Sequence, residues 1–124
     1  MTGVFRTVQI AHRQLERGVE VLEMTGSIHG ADCGCLEEEV AALIQQGKTR
    51  LIFDLAGVTH IDSAAIGCIA RCLSRLRRAD GDLRLAGAKS MVAGALKLTQ
   101  LDRILGMYPT VAAADFLSFD ASAT

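Results

Sequence analysis

The sequence predicts an α/β domain: one mixed β-sheet of about five strands, an N-terminal hairpin followed by alternating strands and helices, with the helices packed chiefly on one face. Three observations carry this prediction. Two runs near the start, TVQIAHRQ and VEVLEMTG, alternate polar and apolar residues, as strands do when one face is buried against a core. The run RLIFDLAG, Arg50 to Gly57, is too uniformly apolar at its heart for a surface strand, and suits a central strand covered on both faces. After Gly30, strand-like and helix-like patterns alternate, and right-handed crossovers then lay the helices on the sheet.

The elements follow in order. Leu15–Gly18 joins the two hairpin strands, and Leu36, Val40, Leu43 and Ile44 then recur at helical spacing, with Gly47 placed to end the helix. Glu37, Glu38 and Glu39 turn outward on this helix and read as a solvated face. After the central strand, a second helix starts near Ser63: Ile66, Ile69, Leu73 and Leu76 share one face, while Arg71, Arg75 and Arg78 form a stripe on the other, with Arg77 beside it. Ala79–Asp82 is a turn, LRLAG a strand, KSMVAGALKLTQL a helix, RILGMY a weak strand, and VAAADFLS a last helix. Residues 1–119 are expected to form a single domain and 120–124 a short flexible tail.

A chain of 124 residues, half of them apolar, is enough for one continuous core. Thirteen basic and fourteen acidic side chains leave a formal net charge of −1, which supplies no overall field for steering the chain onto nucleic acid or an anionic membrane. The N-terminal residues lack a signal-peptide core, and no apolar run reaches the ~20 residues of a membrane helix. The expectation is a cytoplasmic protein without membrane insertion or direct nucleic-acid binding. Cys33, Cys35, Cys68 and Cys72 are expected to be free thiols in core or boundary positions. Their spacing is poor for zinc, since Cys68 and Cys72 fall mid-helix, and neither a metal nor a cofactor is expected.

The stretch His60-Ile61-Asp62-Ser63-Ala64-Ala65-Ile66-Gly67 sets a carboxylate, a hydroxyl and an imidazole where a strand gives way to a helix. Asp and Ser are favoured helix caps, accepting amide hydrogens that have no intrahelical partner. A catalytic reading would make Ser63 a nucleophile with His60 or His29 as base, but the local sequence is not Gly-x-Ser-x-Gly. A third reading makes Ser63 a phosphorylation site, because a helix N-terminus suits a phosphate. Chemistry alone does not choose between a cap and a modification site.

The motifs LIFDLAGVTHIDSAAIG, RRADGDLRLAG and VAGALKLTQLDRIL occur in that order within Val8–Leu117. In these features the chain resembles the STAS domain family, particularly the bacterial anti-sigma factor antagonists. The resemblance implies a switch without enzymatic activity of its own. The unmodified domain binds an anti-sigma factor and frees a sigma factor, and phosphorylation by that anti-sigma factor, a GHKL-type serine kinase, breaks the complex. It further implies that Ser63 is the phosphoacceptor, that Asp62 is the family's adjacent acid, and that ATP belongs to the kinase. The expected partner surface comprises His29, Gly30, Asp62, Ser63, Ala64, Gly67 and Arg71, within the loop from Gly26 to Asp32 and the start of the Ser63 helix. The domain is expected to be a monomer or weak dimer.

The chain departs from the family pattern in two places. Ala64-Ala65 stands where Ser or Thr followed by Gly is common, and Gly26-Ser27-Ile28-His29 where many members have Gly-Glu-Leu-Asp. His29 reads either as a loop residue or, if it lies near Ser63, as a group that favours a phosphate when protonated. STAS domains also serve as scaffold subunits of stress-sensing assemblies and as accessory subunits of lipid ABC transporters, which is the alternative function.

Overall fold

The computed structural model describes residues 8–115. Five strands form one sheet: β1 (Val8–Gln14), β2 (Val19–Ile28), β3 (Arg50–Ile61), β4 (Asp82–Ala86) and β5 (Gly106–Tyr108), in the spatial order β1-β2-β3-β4-β5. The hairpin β1–β2 is antiparallel and every later pairing is parallel. Each parallel pairing requires a crossover, and these are supplied by helices α1 (Cys33–Gln45), α2 (Ser63–Arg78) and α3 (Ser90–Leu98). A short helix, α4 (Val111–Ala114), follows β5.

The two faces of the sheet are covered unequally. Leu22, Met24, Leu51, Phe53, Leu83 and Leu85 point to the side where Leu36 and Val40 of α1, Ile69 and Leu76 of α2, and Val92 and Leu96 of α3 complete one large core. The opposite face carries a smaller cluster of Val19, Val21, Ile52, Ala86 and Ala114 under α4. Arg84 is buried on this thin side: its Nη1 donates to Ala114 O at 2.9 Å, and its guanidinium lies 5.4 Å from the Tyr108 ring centroid. Backbone acceptor and aromatic face together compensate the desolvated cation.

Several boundaries differ from the sequence expectation. β3 continues to Ile61 rather than stopping at Gly57. Gly57 does not break the strand because it lies at an irregularity in the β2–β3 register, where a Cβ would fall 2.6 Å from Thr25 Cγ2 and 3.0 Å from Met24 O. The glycine permits close approach of backbone there. α3 ends at Leu98 instead of reaching Leu101, giving way to a 3-10 turn at Leu101–Arg103, and β5 begins only at Gly106. The outer half of the expected last helix and the expected tail 120–124 lie outside the described residues.

Candidate functional site

The carboxyl ends of β2 and β3 lie side by side, with Ile28 paired to Ile61. In open α/β sheets this edge is where ligands and functional groups collect. β2 runs into His29 and a 3-10 turn at Gly30–Asp32, while β3 runs into Asp62 and α2. A backbone hydrogen bond from Asp62 N to Ile28 O at 3.2 Å joins the two exits.

Asp62 is the N-cap of α2, in extended conformation. Its Oδ1 accepts from Ala65 N at 2.8 Å, as a capping side chain does. Its Oδ2 accepts from Gly30 N at 3.1 Å and lies 3.3 Å from His29 Nδ1. One carboxylate therefore caps its own helix and ties down the neighbouring loop. The Ala65 N–H chiefly, then the Gly30 N–H and the His29 ring, hold its carboxyl below the usual range against a partial opposing effect of burial.

The loop carries its own brace. Asp32 is fully buried, its carboxylate accepting from His29 N at 2.7 Å, while Asp32 N donates to His29 O at 2.9 Å. Within the segment Gly26 to Asp32, Gly26–Ile28 still belong to β2, and Ile28 and Asp32 are both buried, so Asp32 shapes the turn from inside. Gly30 then passes so close to α2 that a Cβ on it would lie 2.9 Å from Ala64 Cβ. From the same side the Cys33 thiol donates to Ala64 O at 3.6 Å. The small side chain at position 64, one of the departures from the family pattern, thus lies in a tight contact with Gly30.

Ser63 is the first residue of α2 and is exposed, as is Ala64. Ser63, Gly67 and Arg71 follow at intervals of four and share a helix face. A Cβ at Gly67 would meet only Arg71 Nη1, at 3.7 Å, so glycine leaves the surface low between serine and arginine. The structure thus gathers His29, Gly30, Asp62, Ser63 and Ala64 at one corner and extends them along α2 through Gly67 to Arg71.

The arginine stripe is not a uniform free face. Arg71 Nε and Nη2 both lie 3.2 Å from Glu37 Oε2. Arg77 donates to Ile104 O at 2.9 Å and lies 3.5 Å from Asp82. Glu37 and Glu39 likewise depart from a purely solvated face, since Glu39 Oε2 lies 3.2 Å from His12 Nε2. Such exposed pairs contribute little stability but fix where the Arg71 side chain points.

All four cysteines are free; Cys33, Cys68 and Cys72 are buried where α1 meets α2, and Cys35 is half-buried. Burial, with the neighbouring Cys68 thiol, pushes the Cys33 thiol up to about 12. The Cys72 thiol beside it, with burial, pushes Cys68 up as well. Neutral thiols of this kind pack and donate weakly rather than react. Among the described residues no group of three or more His, Cys, Asp or Glu side chains is placed to hold a metal ion, and no helix is long and apolar enough to cross a membrane. The two histidines weighed as bases turn elsewhere: His60 Nδ1 lies 3.2 Å from Thr59 Oγ1, and His29 faces Asp62.

Sequence reasoning did not foresee the Asp62 bond to Gly30, the Cys33 bond to Ala64 or the Glu37 partner of Arg71. All three join residues more than thirty positions apart, and a register between parallel strands leaves no local signal.

Comparison with known proteins agrees with this fold. A curated relative from Bordetella bronchiseptica, named "Putative anti-sigma factor antagonist BtrV", is 26% identical over 92 residues, 74% of this chain and 77% of its own length. Among solved structures, the anti-sigma factor antagonist SpoIIAA in its unphosphorylated form superposes with a TM-score of 0.74 at 18% identity, covering 86% of this chain and 92% of that one. SpoIIAA, a Bacillus cell fate determinant, is also known in its phosphorylated form, with a TM-score of 0.68 at 17% identity, covering 86% and 96%. A sulfate transporter family protein from Wolinella succinogenes gives 0.75 at 18% identity, covering 90% and 93%, so the fold by itself does not choose among functions. The model of the STAS domain matches residues 12–114, and the chain belongs to the STAS domain family.

Proposed function

We propose that this chain is an anti-sigma factor antagonist of bacterial cytoplasm. It binds an anti-sigma factor while Ser63 is unmodified and releases it when that factor, acting as a serine kinase, phosphorylates Ser63. The observation that carries this reading is the exposed Ser63 hydroxyl on the first turn of α2, directly after the Asp62 cap. Support also comes from the Bordetella relative's name.

In the transfer, the Ser63 oxygen would form a bond to the γ-phosphorus of ATP held by the kinase. The bond to the departing ADP oxygen breaks, and the serine proton leaves to a kinase base. Asp62 is poorly suited to take that proton. Its carboxyl is held below the ordinary range and its lone pairs serve two backbone amides, which makes it a weak base. Its part is to position Ser63 and to set a negative charge beside the acceptor. The added phosphate brings about −1.5 to −2 further charges onto the same small surface. His29, Gly30, Ala64, Gly67 and Arg71 form the rest of the partner surface in this reading.

The test combines phosphorylation and binding. Incubation with the cognate kinase and ATP should place one phosphate on Ser63 by mass spectrometry. Ser63→Ala should retain binding and lose the phosphate, and Ser63→Asp should weaken binding by roughly 1 to 3 kcal/mol, several-fold or more. Phosphate on another residue, or none from a kinase shown to be active and bound, would overturn the reading in favour of a scaffold or transporter subunit.

A further inference from the structure

Asp62 has more partners than a cap requires. Its two oxygens already accept from the Ala65 and Gly30 amides at 2.8 and 3.1 Å, and these two bonds cap α2 and tie it to the neighbouring loop. The His29 ring is a third partner. At 3.3 Å its contact with Asp62 Oδ2 is longer than the 2.7–2.9 Å of a tight charge-assisted bond, and its side chain is 43% exposed. The backbone at His29 is braced by Asp32 through His29 N and His29 O, and the His29 side chain completes a capping box with the Asp32 amide. His29 is therefore an ionisable side chain fixed at the corner by its main chain, with a ring held loosely against the residue before Ser63.

We propose that His29 is the phosphate-pairing residue of the modified domain: on phosphorylation of Ser63 its imidazolium turns from Asp62 to the phosphate. This rests on the Ser63 switch and names the group of this chain that receives the new charge. A phosphate beside Asp62 places two anionic groups on consecutive residues, and a cation at their junction relieves that repulsion. The charged and titratable groups around the ring suit this role. Asp62 stands on the start of α2 and Asp32 on the 3-10 turn. His60, on β3 opposite Ser27, directs Nδ1 to Thr59. The Cys33 thiol at the start of α1 is neutral, and Arg71, two turns along α2, is committed to Glu37.

The sign of the coupling follows from linkage. If phosphate attracts the imidazolium, the phosphorylated domain binds a proton more tightly, and by reciprocity the phosphorylated state gains as pH falls through the imidazole range near neutrality. The modified surface then carries less net negative charge in acid than in alkali, so the phosphate repels an acidic partner surface less at low pH.

The experiment is an NMR titration of the imidazole resonances in the unmodified domain and in the domain with phosphoserine installed at position 63 during translation, which needs no kinase. The His29 midpoint should rise by about one unit on phosphorylation, within the range of a close opposite charge. His12, paired with Glu39 on β1 and α1, should stay put and serves as the internal reference. In a His29→Gln variant carrying the same phosphoserine, the phosphorus resonance should titrate at a higher pH than in the wild type, because the cation is gone. The unmodified variant should remain folded, so that both titrations compare folded domains. A His29 midpoint that moves no more than that of His12, or a phosphorus titration indifferent to His29→Gln, would overturn the proposal. Failure of the kinase to modify Ser63 would instead count against the function proposed above and leave this titration standing.

Discussion

Helices α2 and α3 leave the sheet at equivalent places, each following the carboxyl end of a parallel strand, yet their starts are built differently. At α2, Asp62 caps the helix, accepts from the adjoining loop and faces His29, while Gly30 presses on Ala64. At α3, the N-cap is Lys89, with no side-chain cap bond, and Lys89, Ser90 and Met91 are all exposed. A lysine at that position adds positive charge where the helix dipole is already positive. The fold requires both helices and tolerates a bare start, so the elaboration at α2 is not explained by the demands of the fold alone. In the proposed function, this elaboration serves to present one side chain, Ser63, in a single orientation.

The contrast can be broken by packing first. Gly30→Ala would drive a Cβ to 2.9 Å from Ala64 Cβ and should cost about 1–3 kcal/mol in chemical denaturation, the usual range for overpacking. Adding Ala64→Gly should recover part of that loss, and a double-mutant cycle without coupling would show that the contact is slack.

Capping gives the next effect. Asp62→Ala should cost about 1–2 kcal/mol, and Lys89→Ala no more than about 0.5 kcal/mol. Equal costs would mean that the two starts are energetically alike. The Asp62 effect should also depend on pH. Because its folded carboxyl is held below the ordinary value, its contribution is present above the unfolded value of about 3.9 and is lost as pH falls through the folded one. The stability gap between wild type and Asp62→Ala should therefore narrow in acid. A gap constant from neutral pH down to pH ~2 would contradict the bonding described for the ionised carboxylate.

The smallest change should be a gain. Lys89→Asp supplies α3 with the acceptor and the charge that α2 already has, and should raise stability by about 0.5–1 kcal/mol. No gain would indicate that the extended backbone at Lys89 does not place a side chain over the first turn.

What the sequence made legible divides along the same line. Asp62-Ser63 before an amphipathic run was readable as a helix start, since capping depends on neighbours in the chain, and the alternation of patterns was enough for the sheet and its crossovers. β3 beyond Gly57 was not, because the glycine answers to Thr25 and Met24 across the sheet rather than to its own neighbours. The burial of Arg84 was equally hidden: LRLAG alternates like a strand with one wet face, but Tyr108 and Ala114, more than twenty positions later, close over the guanidinium. At the site, the residue types were visible and their meeting was not. Only the register that pairs Ile28 with Ile61 turns His29 from a loop residue into a neighbour of Asp62.

That register belongs to a sheet whose spatial order repeats the order of its strands along the chain. Each strand emerging from a ribosome therefore finds its partner already made, and the sheet can grow by accretion at a single edge without threading or rearrangement. The contacts that close the Ser63 corner all join the segment His29–Cys33 to the start of α2 at Asp62–Ala64, so they can be complete while β4 and β5 are still to be synthesised. The open edge of the growing sheet is then the very edge that the next segment will occupy, which shortens the time that unpaired backbone is offered to other nascent chains.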